Sequence, residues 1–166
     1  MTRTDYLRLR NAYIPAEIKI IFVLESPPAS GRYFYNPDGP TTEALFGAMM
    51  RDVVEMTPTC KADGLKEFAA RGYFLVDATY TPVNRLSDKE KEATTLCDFE
   101  ALVADLRQYA KPETSIVLVK ANVCRLLEPK LQERDFNVLN RGIMIPFPST
   151  GQQSKFHQRI RQVLGM

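Results

Sequence analysis

The sequence has no apolar run of signal-peptide length, and none approaches the roughly 20 residues that a membrane-spanning helix needs. Cysteine is scarce: Cys60, Cys97 and Cys124 are odd in number and far apart, unlike a disulfide framework or a close-spaced zinc or iron–sulfur site. Repeats, low-complexity tracts and flexible linkers are also missing. These absences predict a cytoplasmic monomer with reduced cysteines, no membrane contact, and neither a metal nor another cofactor.

The 166 residues have an ordinary globular composition, 45% hydrophobic and 25% charged, which predicts a single domain over residues 1–166. The net charge of +2 is unevenly spread. Residues 1–110 carry 13 basic and 16 acidic side chains, whereas residues 111–166 carry 9 and 4. The basic last third either contacts phosphates or forms a solvated helix face.

Short β-branched and apolar runs indicate strands buried on both faces. The four runs are Ile18–Leu24, Tyr73–Val76, Ser115–Val119 and Gly142–Ile145. Helical patterns lie between them, including an apolar periodicity over residues 45–56 and a helix from a Ser87/Glu90 capping box to about Tyr109. Alternating strands and helices predict an α/β fold, a three-layer αβα arrangement with a four-stranded, mostly parallel central sheet. Ligands of such sheets bind outside the carboxyl ends of the strands.

Polar side chains follow the first two predicted strands. Glu25 comes directly after the first, in a loop stiffened by Pro27 and Pro28, and Asp77 ends the second. If these strands are neighbours, the two carboxylates share one crevice, where paired acids can divide into a water-activating base and a charge-stabilising partner. The alternative for Glu25 is a hydrogen bond that orders the loop. The amides of Asn84 and Asn122, after the second and third strands, are candidate substrate contacts.

Three adjacent aromatic residues, Tyr33, Phe34 and Tyr35, follow in the first loop. They either offer a flat face to a planar ligand, since stacking a base on an aromatic ring contributes about 1–3 kcal/mol, or they cover the end of the sheet as hydrophobic fillers.

The loop after the fourth predicted strand, Pro146–Lys155, leads into a basic C-terminal helix. Backbone N–H groups at a helix start, with hydroxyls nearby, form a phosphate cradle, and ordinary helix capping by Ser149 or Ser154 is the alternative. His157, the only histidine, is a surface residue or a catalytic one.

Taken together, Val23–Pro28, Gly72–Val83 and Ile145–Gly151 resemble, in order, three motifs of the uracil-DNA glycosylase superfamily. These are a strand with a Pro-containing water-activating loop, a strand ending in the residue that reads the base edge, and a Pro-Ser loop that pinches DNA. The resemblance spans roughly residues 18–164. It implies the corresponding fold and a DNA glycosylase that extrudes a uracil-like or deaminated base and hydrolyses its N-glycosidic bond, as in base excision repair.

The resemblance also implies roles for individual residues. Glu25 would position or activate water, and Ser26 stands where the best-known branch has its catalytic aspartate. Phe34 or Tyr35 would stack on the base, Asp77 would read its edge, and Phe147 would lie beside it. Pro148 and Ser149 would grip the DNA backbone. With them, the candidate DNA contacts in the last loop and helix are Thr150, Gly151, Ser154, Lys155 and Arg159.

Three positions depart from the family pattern. Ser26 replaces an aspartate, Asp77 stands at a position that is commonly asparagine, and Phe147 stands where a histidine often stabilises the leaving base. An ionised aspartate accepts hydrogen bonds but cannot donate one to a carbonyl. Two other functions therefore remain open: a non-catalytic binder of nucleic acid or nucleotides, and a hydrolase of a small nucleoside or glycoside.

Overall fold

The computed structural model describes all residues, 1–166. None of its helices is both long and apolar enough to cross a membrane. The four strands are β1 (Ile20–Leu24), β2 (Tyr73–Asp77), β3 (Ser115–Leu118) and β4 (Asn137–Val138). The helices are α1 (Arg3–Asn11), α2 (Ala44–Met49), a π-helix (Met50–Val54), α3 (Lys61–Ala70), α4 (Asp88–Cys97), α5 (Phe99–Tyr109), α6 (Ala121–Glu133) and α7 (Gln153–Leu164).

The four strands form one sheet in the order β2-β1-β3-β4, and every pairing is parallel. The chain is therefore an α/β protein with an all-parallel sheet flanked by helices. Leu24 of β1 aligns with Asp77 of β2, and Val23 aligns with Leu118 of β3. The carboxyl ends of three strands consequently meet at one edge of the sheet, as the sequence predicted.

The first three strands lie where the apolar runs predicted them, and their side chains are almost completely buried. The fourth strand prediction, Gly142–Ile145, is wrong: this segment has no strand structure, and β4 is the two-residue segment Asn137–Val138. The buried amide of Asn140 explains the difference. Its Oδ1 accepts from the backbone N–H of Leu118 at 2.8 Å and its Nδ2 donates to the Leu118 carbonyl at 2.9 Å. The Asn140 side chain thus makes the two hydrogen bonds to Leu118 that the backbone of a longer β4 would otherwise make.

Replacing Asn140 by Leu should destabilise the protein by about 2 kcal/mol, because the Leu118 N–H would be left buried and unpaired and the Leu118 carbonyl would keep only the weak Cys124 thiol donor. Urea unfolding followed by circular dichroism measures this. Exposed Asn11→Leu is the matched control, and equal midpoints for the two variants would contradict this account of the sheet edge.

The helices follow the sequence patterns with two differences. The Ser87/Glu90 capping box is present at the start of α4. The predicted long helix divides at Asp98, whose carboxylate accepts a 2.6 Å hydrogen bond from Thr79 just after β2. The apolar periodicity over residues 45–56 covers α2 and then the π-helix, which packs against α3 and α7.

All three cysteines are unpaired, with Cys60 and Cys97 exposed and Cys124 buried. Cys124 donates a hydrogen bond to the Leu118 carbonyl. Its role is therefore structural, and burial raises the pKa of its thiol to about 11.

Candidate functional site

A cleft of about 680 Å³ lies at the carboxyl ends of the strands, within the usual size range of small-molecule sites. Four side chains from distant parts of the sequence line it together: Glu25, Phe34, Asp77 and Ser149. Five more of the candidate residues share the lining, namely Ser26, Pro27, Tyr33, Asn84 and Phe147. The structure thus brings together most of the residues that the sequence singled out.

Glu25 has a carboxylate that is held from two sides and is only 6% exposed. Lys120 forms an ion pair with one oxygen, and the Asn122 side-chain amide donates to the other. A carboxylate has about four lone-pair sites, so two remain for a ligand or water. The backbone carbonyl of Glu25 accepts separately from the Thr79 N–H at 3.0 Å.

Lys120, directly after β3, was not predicted as a site residue. It lines the cleft, and its side chain is 31% exposed. Its backbone has φ 86° and ψ 131°, a conformation that side-chain-bearing residues seldom adopt and that costs on the order of 1–3 kcal/mol. A strained lysine paired with a buried glutamate makes this position a functional candidate. Its position directly after the third apolar run, Ser115–Val119, is the sequence signal that could have identified it.

Asp77 lies beside Glu25, because β1 and β2 are neighbours. Its side chain is only 4% exposed, and its carboxyl makes no hydrogen bond within the protein. Burial raises its pKa to about 8 against the opposing effect of the Arg10 guanidinium. The raised pKa favours the uncharged acid, which has a proton to donate, unlike the ionised side chain considered from sequence.

The three adjacent aromatic residues are interior, with Tyr33, Phe34 and Tyr35 all at most 4% exposed. Of the two stacking candidates, Tyr35 does not line the cleft: its hydroxyl accepts from the Leu75 N–H in the core. Tyr33 and Phe34 do form part of the wall. The sequence alone cannot distinguish an aromatic ring that packs in the core from one that lines a ligand cleft, because both positions favour a large apolar side chain.

The first loop is fixed by a buried ion pair between Lys61 and Glu43, at 2.7 Å. Lys61 also donates to the Tyr33 carbonyl at 2.6 Å. Burial lowers the pKa of Lys61, although Glu43 opposes the effect. Gly39 lies so close to both charged groups that a Cβ atom there would collide with Glu43. The buried contacts of Lys61 with Glu43 and with the Tyr33 carbonyl thus fix this wall of the cleft.

Two hydrogen bonds join the first loop to the segment after β2. Ser26 Oγ accepts from the Val83 N–H at 3.3 Å, and Asn84 Oδ1 accepts from the Ala29 N–H at 3.1 Å. Both side chains therefore order the rim of the cleft as well as lining it.

The last loop reaches the cleft only through Phe147 and Ser149. Neither Ser149 nor Ser154 caps α7, whose N-cap is Gln152 without a side-chain bond. Lys155 is exposed and makes no hydrogen bond or ion pair, whereas Arg159 donates to the Met144 carbonyl at 2.7 Å. Besides Tyr35, the candidates outside the cleft lining are Asn122, Pro148, Thr150, Gly151, Ser154, Lys155 and Arg159.

His157 also lies outside the cleft, where its Nδ1 hydrogen-bonds to the buried Asp52 at 2.7 Å. Asp52 also accepts two hydrogen bonds from Arg51. The histidine therefore joins α7 to the π-helix and does not reach the cleft.

No protein-family model and no curated protein sequence matches this chain. The chemistry of the site consequently rests on its own residues and geometry.

Proposed function

We propose that the protein is a DNA glycosylase-like enzyme that takes an extruded base into the cleft and hydrolyses its N-glycosidic bond. The observation that carries the proposal is the convergence of Glu25, Phe34, Asp77 and Ser149 on one cleft. The ordered resemblance to the uracil-DNA glycosylase superfamily motivates the choice of reaction. The volume of about 680 Å³ leaves room for a base and its sugar.

In the proposed reaction, Glu25 holds a water molecule and takes its proton as the water oxygen bonds to C1′ of the sugar. The bond from C1′ to the base nitrogen breaks, and its electron pair leaves with the base. Lys120 and Asn122 fix the orientation of the carboxylate. Lys120 also supplies positive charge at the cleft, where Phe147 occupies the position that the resemblance gives to a histidine.

The test is base release from oligonucleotides carrying one uracil, hypoxanthine, xanthine or mismatched base, in single and double strands. We expect abasic sites, detected by alkaline cleavage, from at least one of these. Free nucleosides are assayed in parallel, because cleavage of nucleosides alone would support a small-nucleoside hydrolase. If every substrate stays intact, the glycosylase proposal fails.

A non-catalytic nucleic-acid or nucleotide binder is the second candidate. The observation in its favour is that the protein's own Lys120 and Asn122 already engage both oxygens of Glu25. Salt-sensitive DNA binding without base release would favour this candidate over the enzyme.

Both candidates predict that Lys155→Ala weakens DNA binding. Lys155 is exposed and unpaired near the Pro-Ser loop, and each lost phosphate contact should reduce the magnitude of the salt slope by about 1. Fluorescence anisotropy at several salt concentrations measures this. Lys19→Ala is the matched control, because exposed Lys19 precedes β1 at the opposite edge of the sheet. Equal slopes for the two variants would exclude a phosphate contact at Lys155.

A further inference from the structure

Lys120 carries the one primary amine that lines the cleft. Its side chain is 31% exposed, so a ligand in the cleft can reach the amine. The backbone of Lys120 is fixed on both sides: its N–H donates to the Ile145 carbonyl at 2.8 Å, and its carbonyl accepts from the Cys124 N–H at 3.0 Å. The amine is therefore an accessible group on a fixed support.

Two local preferences argue against a lysine at this position. The positive φ of Lys120 favours glycine, which has no Cβ atom to be crowded. Lys120 is also the residue before α6, where Ser, Thr, Asp, Asn or Gly is preferred, and its side chain makes no capping hydrogen bond. Residues that break local preferences in this way concentrate at functional sites. The chemistry of the amine, and not the local backbone, thus accounts for the lysine.

The amine touches a carboxylate that can take its proton. An ammonium group has no lone pair, so a lysine becomes a nucleophile only after it gives a proton to a base. Lys120 forms its ion pair with one oxygen of Glu25. The Asn122 amide donates to the other oxygen, and the Asn122 side-chain carbonyl accepts from the Val123 N–H at 3.0 Å. The proton acceptor is therefore held in contact with the amine.

A second cation in the cleft suits a phosphate. Arg32 lines the cleft, is exposed, and its guanidinium makes no hydrogen bond or ion pair within the protein. A guanidinium binds phosphate oxygens through paired N–H groups. The cleft thus offers an amine for a carbonyl carbon and a guanidinium for a phosphate, which together fit a phosphorylated sugar with a free aldehyde.

We propose that Lys120 is a catalytic nucleophile that forms an imine with the C1′ aldehyde of a ring-opened deoxyribose phosphate, and that the imine releases the 3′ phosphate when this sugar is part of DNA. The protein then has a second activity, cleavage of the strand at an abasic sugar. This inference rests on the proposed function only for the source of the sugar, since base release would leave such a sugar in the cleft.

The bonds and protons of the reaction balance. Glu25 takes a proton from the Lys120 ammonium, and the free amine bonds to C1′ as the double bond from C1′ to oxygen opens. The ammonium loses two protons in all, which Glu25 passes to the aldehyde oxygen, and that oxygen leaves as water. The product is a protonated imine between Nζ and C1′.

The second step breaks the strand. Glu25 takes one proton from C2′, and the electron pair of that bond forms a double bond between C2′ and C3′. The C3′–oxygen bond breaks, and its electron pair leaves with the 3′ phosphate. Water then hydrolyses the imine, which restores Lys120.

The test is reductive trapping on the full chain. The protein is incubated with an oligonucleotide that carries one preformed abasic site, or with 2-deoxyribose 5-phosphate. Sodium cyanoborohydride is present, because it reduces an imine to a stable secondary amine. We expect a covalent adduct from both probes, which peptide mass spectrometry places on Lys120. Without the reductant, we expect the oligonucleotide to be cut on the 3′ side of the abasic sugar.

Lys120→Arg should lose both the adduct and the strand cleavage. Arginine keeps the positive charge beside Glu25, but its guanidinium does not lose a proton and cannot form the imine. Lys19→Arg is the matched control and should keep both activities, because exposed Lys19 precedes β1 at the opposite edge of the sheet. Glu25→Gln should slow adduct formation, since the amide cannot take the ammonium proton. Circular dichroism checks that the variants fold.

The mapping on the wild type decides the outcome even where a variant misfolds. No adduct, an adduct only on other amines, or equal yields from Lys120→Arg and Lys19→Arg would overturn the inference. An adduct with the free sugar phosphate alone would support the imine and overturn strand cleavage. An unchanged rate for Glu25→Gln would contradict the proton transfer.

The preformed abasic site makes this result separable from that of the proposed function. Trapping at Lys120 without base release from any oligonucleotide would exclude the glycosylase and leave the imine chemistry. Base release without a trapped adduct would do the reverse.

Discussion

Glu25→Gln is expected to lower the rate of base release by about 10²–10⁴-fold, the range that a general base contributes. The amide has the size of the carboxylate but cannot take a proton from water. Single-turnover kinetics with enzyme in excess over the best oligonucleotide of the panel measures the chemical step without product release.

The fold and the DNA affinity of Glu25→Gln should stay close to those of the wild type. Lys120 would lose its ionic partner but is 31% exposed and reaches water. Exposed Glu113→Gln is the matched control, because it removes one carboxylate far from the cleft lining. A Glu25→Gln rate above about one tenth of the Glu113→Gln rate would refute the general-base role.

Asp77→Asn is expected to stabilise the protein increasingly as the pH rises. The pKa of Asp77 is about 8 in the folded protein and about 3.9 in an unfolded chain. The folded state therefore keeps a proton that the unfolded chain releases, which lowers the free energy of unfolding as the pH rises between these values. The loss is about 1.4 kcal/mol per pH unit, so the wild type should lose roughly 3 kcal/mol relative to the variant between pH 5 and 7.5.

Urea unfolding of wild type and Asp77→Asn at several pH values measures this difference. The exposed Asp63→Asn variant on α3 controls for the removal of a carboxylate, and we expect it to keep the wild-type pH dependence. Parallel stability curves for wild type and Asp77→Asn would mean that Asp77 is ionised in the folded protein.

The sequence predicted β1, β2 and β3 because each is a continuous apolar run buried on both faces. It could not predict β4, because the two-residue strand is continued by the side chain of Asn140, a contact between residues that are distant along the chain. Gly142–Ile145 has the composition of a strand, but it forms no ladder with β3, and the Ile145 carbonyl only accepts a 2.8 Å hydrogen bond from the Lys120 N–H beyond the end of that strand.

At the site, Glu25 and Asp77 could be predicted because polar residues at the ends of neighbouring parallel strands must lie together. The raised pKa of Asp77 could not, because it depends on how deeply the fold buries the carboxyl and on the nearby charges of Arg10 and Asp105. The strained backbone of Lys120 and the interior position of Tyr35 likewise depend on tertiary packing, which composition does not encode.

The central claim is that the cleft holds a base with its glycosidic bond beside Glu25. A crystal structure of the Glu25→Gln variant with a short single-stranded oligonucleotide containing one uracil tests it most directly. The account predicts the uracil ring against Phe34, its edge at Asp77, and C1′ within one water molecule of residue 25. A uracil bound elsewhere, with the cleft empty, would contradict it.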